Sequence, residues 1–159
     1  MHESRLTVLL RELLQSRRVA ALGTIGKSGE PFVSMVPFAI EPTGGYLVLH
    51  VSGLAAHTGN MLDHPHVSVL VMQSEMPGEP VHALPRVTLE GNASVIEIQS
   101  QNYQACREAY LNRFPEAEPM TQLGDFMFVA ITVDGARQVA GFGAARSMDA
   151  DEVKWALLA

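Results

Sequence analysis

From residue 17 to residue 145 the chain consists largely of short β-branched, apolar runs punctuated by glycine and proline. "RRVAALGTI" is followed by "GKSGEP", a hairpin turn, and then by "FVSMVPFAI", "EPTGG" and "YLVLHVS". Ahead of them, Leu6, Leu9, Leu10, Leu13 and Leu14 repeat at helical spacing, which predicts an amphipathic helix over residues 3–17. The first 52 residues therefore read as one helix and a three-strand meander.

The remainder keeps this character. Residues 54–63 have helix-forming composition, and Pro65 disfavours helical geometry at His64, so a helix there should stop. "HVSVLVMQ" reads as a strand, "SEMPGEPVHALP" as a loop and "RVTLEGNASVIEI" as a long strand. "SQNYQACREAYLNRF" predicts a second helix with Tyr103, Cys106 and Tyr110 on one face. "DFMFVAITV" and "ARQVAGFG" read as two strands separated by an Asp-Gly turn at Asp134 and Gly135. Ser147 to Ala159 predicts a short helical tail with Asp149 as its cap. The sum is about seven strands, arriving as hairpins rather than as strand–helix–strand units. That favours a mainly β fold, a mostly antiparallel barrel with flanking helices, over a doubly wound sheet.

Composition narrows the function. A chain of 159 residues with 47% apolar and 18% charged residues suits one domain with a real core, and its apolar surplus suggests surface buried against a partner. A net charge of -6 without a basic run argues against broad nucleic-acid binding. The single cysteine, Cys106, excludes an intrachain disulfide and suits a reducing compartment. No basic segment with a cleavage site opens the chain, and the longest apolar run, "FMFVAI", is far short of the ~20 residues of a membrane span. The expectation is a cytoplasmic protein without a membrane segment.

"SGLAAHTGNMLDHPHVSVLV", residues 52–71, carries the densest chemistry, with His57, His64 and His66 among the six histidines of the chain. A metal site is disfavoured, because His57 and His64 would stand two helical turns apart, roughly 10 Å along the axis. An anion site is better supported. Ser52 ends a strand, Gly53 permits a tight turn, and a helix N-terminus follows with His57, Thr58 and Asn60 in its first turns. The bland alternative is a capped helix that binds nothing. Arg86 and Thr88, two apart on one strand, share a face that either meets a polar ligand or is simply solvated. "GFG" at 141–143 is either a strand end or a place where backbone approaches a flat ligand. Cys106 reads as a buried, inert thiol. No catalytic constellation stands out.

Four stretches, "ALGTIGKSGEPFVSMVPF", "HVSGLAAHTGNMLDHPHVSVLV", "PRVTLEG" and "QVAGFGAA", occur in the order and spacing of a known group. Together they resemble the flavin-binding split-barrel superfamily of pyridoxamine 5'-phosphate oxidase, and most closely its haem-utilisation (HugZ-like) branch. The resemblance implies a six- to seven-stranded antiparallel split β-barrel over about residues 18–145 of a single domain spanning 1–159. It also implies a homodimer with flavin mononucleotide (FMN) held at the subunit interface, and possible oxidoreductase activity.

By that resemblance Ser34, Met35 and Val36 present backbone to the flavin ring. Val51, Ser52, Gly53 and Leu54 border the ribityl chain. His57, Thr58, Asn60, Arg86 and Thr88 complete the site. Three basic residues of the oxidase fall here at Ser34, Ala56 and His57, and an arginine of many haem-utilisation relatives falls at Gly59, which implies weakened flavin binding. Haem is the alternative cofactor. The branch takes its iron ligand from a C-terminal extension that has no counterpart here, and His50 and His82 are the substitutes, neither singled out by spacing. A non-catalytic binding module with a decayed site is the third reading.

Overall fold

The computed structural model describes residues 3–158. Strand β1 (Val19–Ile25) and strand β2 (Pro31–Pro37) form the first hairpin. It turns through Gly29, whose φ of 83° lies in the region that favours glycine. β2 does not run on through "FVSMVPFAI" as the sequence suggested. It stops at Pro37, and β3 (Ala39–Glu41) starts two residues later. Phe38 makes the break: its ring is fully buried, and its N–H donates to the Arg18 carbonyl at 3.1 Å, one step beyond the Val19–Pro37 pair of the β1–β2 ladder.

β4 (Tyr46–Ser52) leads into helix α2 (Ala56–Asp63), which ends at His64 as Pro65 requires. β5 (His66–Met72), β6 (Arg86–Val95), β7 (Phe126–Val139) and β8 (Ala145–Asp149) complete an eight-stranded antiparallel sheet. Its order is β2-β1-β5-β6-β7-β4-β3, with β8 also paired to β7. The fold is a curled, antiparallel split barrel with flanking helices.

Two further expectations are corrected. Asp134 and Gly135 are not a turn, because β7 is one strand of 14 residues. Glu90 pairs with Gly135 and Gly91 with Val133, so Asp134 is the extra residue of a β-bulge. Gly135 lacks the positive φ that a tight Asp-Gly hairpin turn needs. The Asn92 amide donates to the Asp134 carboxylate at 2.7 Å and pins the bulge. Residues 145–149, which carry no clear β pattern, form β8 because the exposed edge of the long β7 accepts them.

Strand alternation divides the sheet. Ala20 and Leu22 on β1, Val67, Val69 and Val71 on β5, and Val87 and Leu89 on β6 point inward. Helix α1 (Arg5–Ser16), capped by the Ser4 hydroxyl, adds Leu10, Leu13 and Leu14 to that core. Helix α4 (Ala150–Leu157) adds Val153, Ala156 and Leu157 behind an Asp149–Glu152 capping box. A smaller core lies where helix α3 (Tyr103–Arg113) places Cys106 and Tyr110 against Val48, Phe128 and Ala130. Arg113 ties these parts together. Its guanidinium donates to the carbonyls of Leu14, Gln15, Arg17 and Phe38 at 2.9–3.1 Å, closing the C-terminal end of α1. Among the described residues no helix is long and apolar enough to cross a membrane.

Candidate cofactor site

The α2 N-terminus is built as expected, but its side chains are already engaged. The Ser34 hydroxyl lies 2.9 Å from His57 Nδ1. The Thr58 hydroxyl is buried and donates to the Ser52 carbonyl at 2.6 Å. The Asn60 amide donates to the Thr24 hydroxyl at 3.0 Å, and the Ser52 hydroxyl accepts from the Leu54 N–H at 3.1 Å. Gly53 cannot tilt freely, since its N–H is held by the Asp125 carbonyl at 2.5 Å. Ala55 caps the helix without a side-chain bond, leaving the N–H groups of Ala56 and His57 free of backbone acceptors.

A phosphate dianion here would meet two backbone N–H groups and one imidazole. Burial lowers the His57 pKa, which favours its neutral form. No lysine or arginine is bonded into this cradle among the described residues. The donor set does not fit the phosphate of FMN.

The other expected residues lie elsewhere. Val36 and Val51 are buried in the main core and offer a ligand only backbone. Met35 points the opposite way from Ser34 and is 64% exposed; Leu54 is exposed beside α2. Arg86 and Thr88 do share a face, the outer one, in register with Met72 and Leu70 of β5. Ser34 belongs to the inward-facing row that runs through Leu22, Val69 and Leu89. β2 and β6 are three strand spacings apart, roughly 14 Å. Within one chain, then, the expected residues form two groups on opposite faces of the sheet.

The outer face bears features that sequence reading missed. Because β7 is continuous, Arg137 pairs with Thr88 and joins Arg86 on that face. Arg137 donates to the Ser147 hydroxyl at 3.2 Å, and Arg86 to the carbonyls of His82 and Leu84 at 3.2 and 2.9 Å. Neither arginine has a carboxylate partner among the described residues. Beside them Val19, Val33, Met35 and Met72 are exposed at 45%, 68%, 64% and 46%. An apolar face rimmed with unpaired cations results. Recognising β7 as one strand would have revealed Arg137; the period-2 alternation was already visible on both sides of Asp134.

His50 is buried against Phe126, Phe128 and Tyr110, with ring centroids 5.1, 4.5 and 5.7 Å away, and its Nδ1 has no partner. Burial lowers its pKa, and burial with the Glu41 charge raises that of Cys106 to about 11, in keeping with an inert thiol. Among the described residues no group of three or more His, Cys, Asp or Glu could hold a metal ion.

The family model for pyridoxamine 5'-phosphate oxidase matches residues 6–140. The chain belongs to this family. Within it, the chain is 30% identical over 152 residues to haem oxygenase HutZ of Vibrio cholerae, covering 95% of this chain and 85% of that protein. It is 33% identical over 138 residues to HOZ, a chloroplastic haem oxygenase of Arabidopsis thaliana, covering 86% of this chain and 40% of that one. Among solved structures, a haem-binding protein from Mycobacterium smegmatis superposes with a TM-score of 0.86 at 27% identity, covering 98% of this chain and 62% of that one. The chain thus spans most of HutZ but less than two thirds of the other two. These relatives place it in the haem-utilisation branch of the family.

Proposed function

We propose that this protein binds haem and serves haem utilisation, and that it works as a homodimer. One observation carries the reading: the outer face of β2, β1, β5 and β6 is apolar and exposed, and its rim holds Arg86 and Arg137 without acid partners. A porphyrin presents the same chemistry in reverse, a flat apolar ring with two anionic propionates. Burying apolar ring and sheet surface contributes about 25 cal/mol per Å², and each charged hydrogen bond about 1.5–3 kcal/mol.

The family's FMN is the less supported cofactor, since the α2 cradle offers its phosphate no fixed cation. Haem supplies its own redox chemistry when bound, and this chain's residues would orient it and exclude water. The names of HutZ and HOZ make haem degradation the activity to assay.

The dimer rests on the same geometry. Exposed Val33 and Met35 on an edge strand make a poor monomer surface. Residues expected at one site lie on opposite faces of one chain, and a second copy would bring the two faces together.

Titration of the purified protein with haemin, beside a parallel titration with FMN, tests the reading. A shifted Soret band that saturates at a fixed haem-to-chain ratio is expected, with little change in FMN fluorescence. Tight FMN binding without a haem shift would overturn it.

A further inference from the structure

The inward row of β6 thins towards its end. It runs Val87, Leu89, Gly91, Ala93 and Val95, so two small residues follow two large ones. Gly91 has no room for a side chain, because a Cβ there would fall 2.2 Å from the Thr132 carbonyl oxygen. Helix α2 packs against β1, β2 and β6 at this end of the main core without filling the gap. A pocket of about 140 Å³ is left between Met61 and Leu62 of α2, Ala93 and Val95 of β6, and Met127 and Val129 of β7.

The polar groups at its wall are already engaged. The Thr58 hydroxyl donates to the Ser52 carbonyl at 2.6 Å. The Ala93 N–H donates to the Pro65 carbonyl at 2.8 Å. Ser94 alternates to the exposed side of β6, and its backbone lies in the ladder opposite Ala130. A buried water needs two to four polar partners, and a cavity without them stays dry and admits small apolar guests. A dry cavity of about 150 Å³ accepts xenon or one benzene ring, so a smaller apolar molecule is accommodated here.

We propose that this pocket holds dioxygen. The use of the gas rests on the haem reading, since an oxygenase consumes it; the binding itself does not. Met127 sets the way out. A Cβ on Gly53 would lie 3.6 Å from the Met127 ε-methyl, so this side chain stands between the pocket and the turn that opens α2. An unbranched thioether with three rotatable bonds readily swings aside. In the proposed dimer that turn meets the outer face of the second copy, which puts the gas one side chain from the shared site.

Methyl NMR of the methionines in the haem-free protein under dioxygen pressure provides the test. Dioxygen is paramagnetic and speeds the relaxation of each methyl according to the local gas concentration. Met61 is 5% exposed and lines the pocket, Met148 is equally buried but lies outside it, and Met35, 64% exposed, reads the gas in solvent. The expected result is an enhancement at Met61 and Met127 several-fold above that of Met35, with Met148 below both. In Ala93→Leu, and in the milder Ala93→Val, the Met61 enhancement should fall to the Met148 level, with circular dichroism melts confirming the fold. A wild-type enhancement at Met61 no greater than at Met148 would overturn the proposal, as would one that persists in the folded Ala93 variants. Gas binding in a protein that takes up no haemin would support the pocket and overturn the haem reading alone.

Discussion

Ser34 and His57 hydrogen-bond to each other across 2.9 Å, joining the edge strand β2 to the first turn of α2. Two side chains at the entrance to a helix N-terminus thus satisfy one another, with no fixed charge between them. Replacing the pair by Ser34→Arg and His57→Lys should raise FMN affinity by at least about tenfold, since each charged hydrogen bond is worth roughly 1.5–3 kcal/mol. Quenching of flavin fluorescence on titration reads the effect. An unchanged affinity would show that charge at these positions does not limit flavin binding.

The outer face yields a prediction on assembly. Met35→Lys and Val33→Glu place charges on exposed, apolar positions of β2 without touching the core. Each should shift the proposed dimer towards monomer while leaving the thermal transition of the monomer cooperative. Sedimentation velocity over a range of concentrations measures this. A wild type that is monomeric throughout would remove the basis of the shared-face arrangement.

His50 sets a pH dependence. Burial lowers its pKa below the ordinary 6.5, so the folded state favours the neutral ring. The associated stability is fully present above the unfolded pKa and is lost as pH falls through the folded one. Of the residues packed on the ring, Phe126 and Phe128 carry no charge, and burial and then the Glu116 charge raise the Tyr110 pKa to about 12, so its hydroxyl stays neutral too. The melting temperature should therefore fall between pH 7 and pH 5 more steeply in the wild type than in His50→Phe. The variant also removes an unpartnered buried nitrogen, and should lose little stability at neutral pH. Parallel profiles would refute the assignment.

Two glycines should respond to alanine in opposite senses. At Gly91 a Cβ would fall 2.2 Å from the Thr132 carbonyl oxygen, in the bulged part of the β6–β7 pair. Gly91→Ala should cost about 1–3 kcal/mol or more. At Gly59 a Cβ meets nothing within 4 Å, and the residue is inside α2. Gly59→Ala should stabilise by about 0.5–1 kcal/mol. Urea denaturation of the two variants beside wild type decides both.

The hairpin order, the inward-facing alternation and the position of α2 were legible because each is a local consequence of residue spacing. The helix stop before Pro65 and the Asp149 cap were legible for the same reason. Asp134-Gly135 misled because a bulge and a tight turn use the same residues, and only the uninterrupted partner β6 distinguishes them. The division of the expected site between two faces was hidden because sequence shows which residues alternate but not which strands become neighbours. Arg137 was obscured likewise, since it gains its meaning only from its pairing with Thr88.

β2 and β3 are the two outermost strands of the sheet path, yet Phe38 alone separates them in the chain. The chain therefore crosses the split of the barrel by a single buried residue, which the Arg113 guanidinium also holds through its carbonyl. A circular permutant with new termini at this crossing would keep every ladder intact and lose only the covalent clasp. Its tendency to unroll, compared with a permutant opened at the exposed Gly78 loop, would isolate what that one peptide link contributes to holding the curled sheet shut.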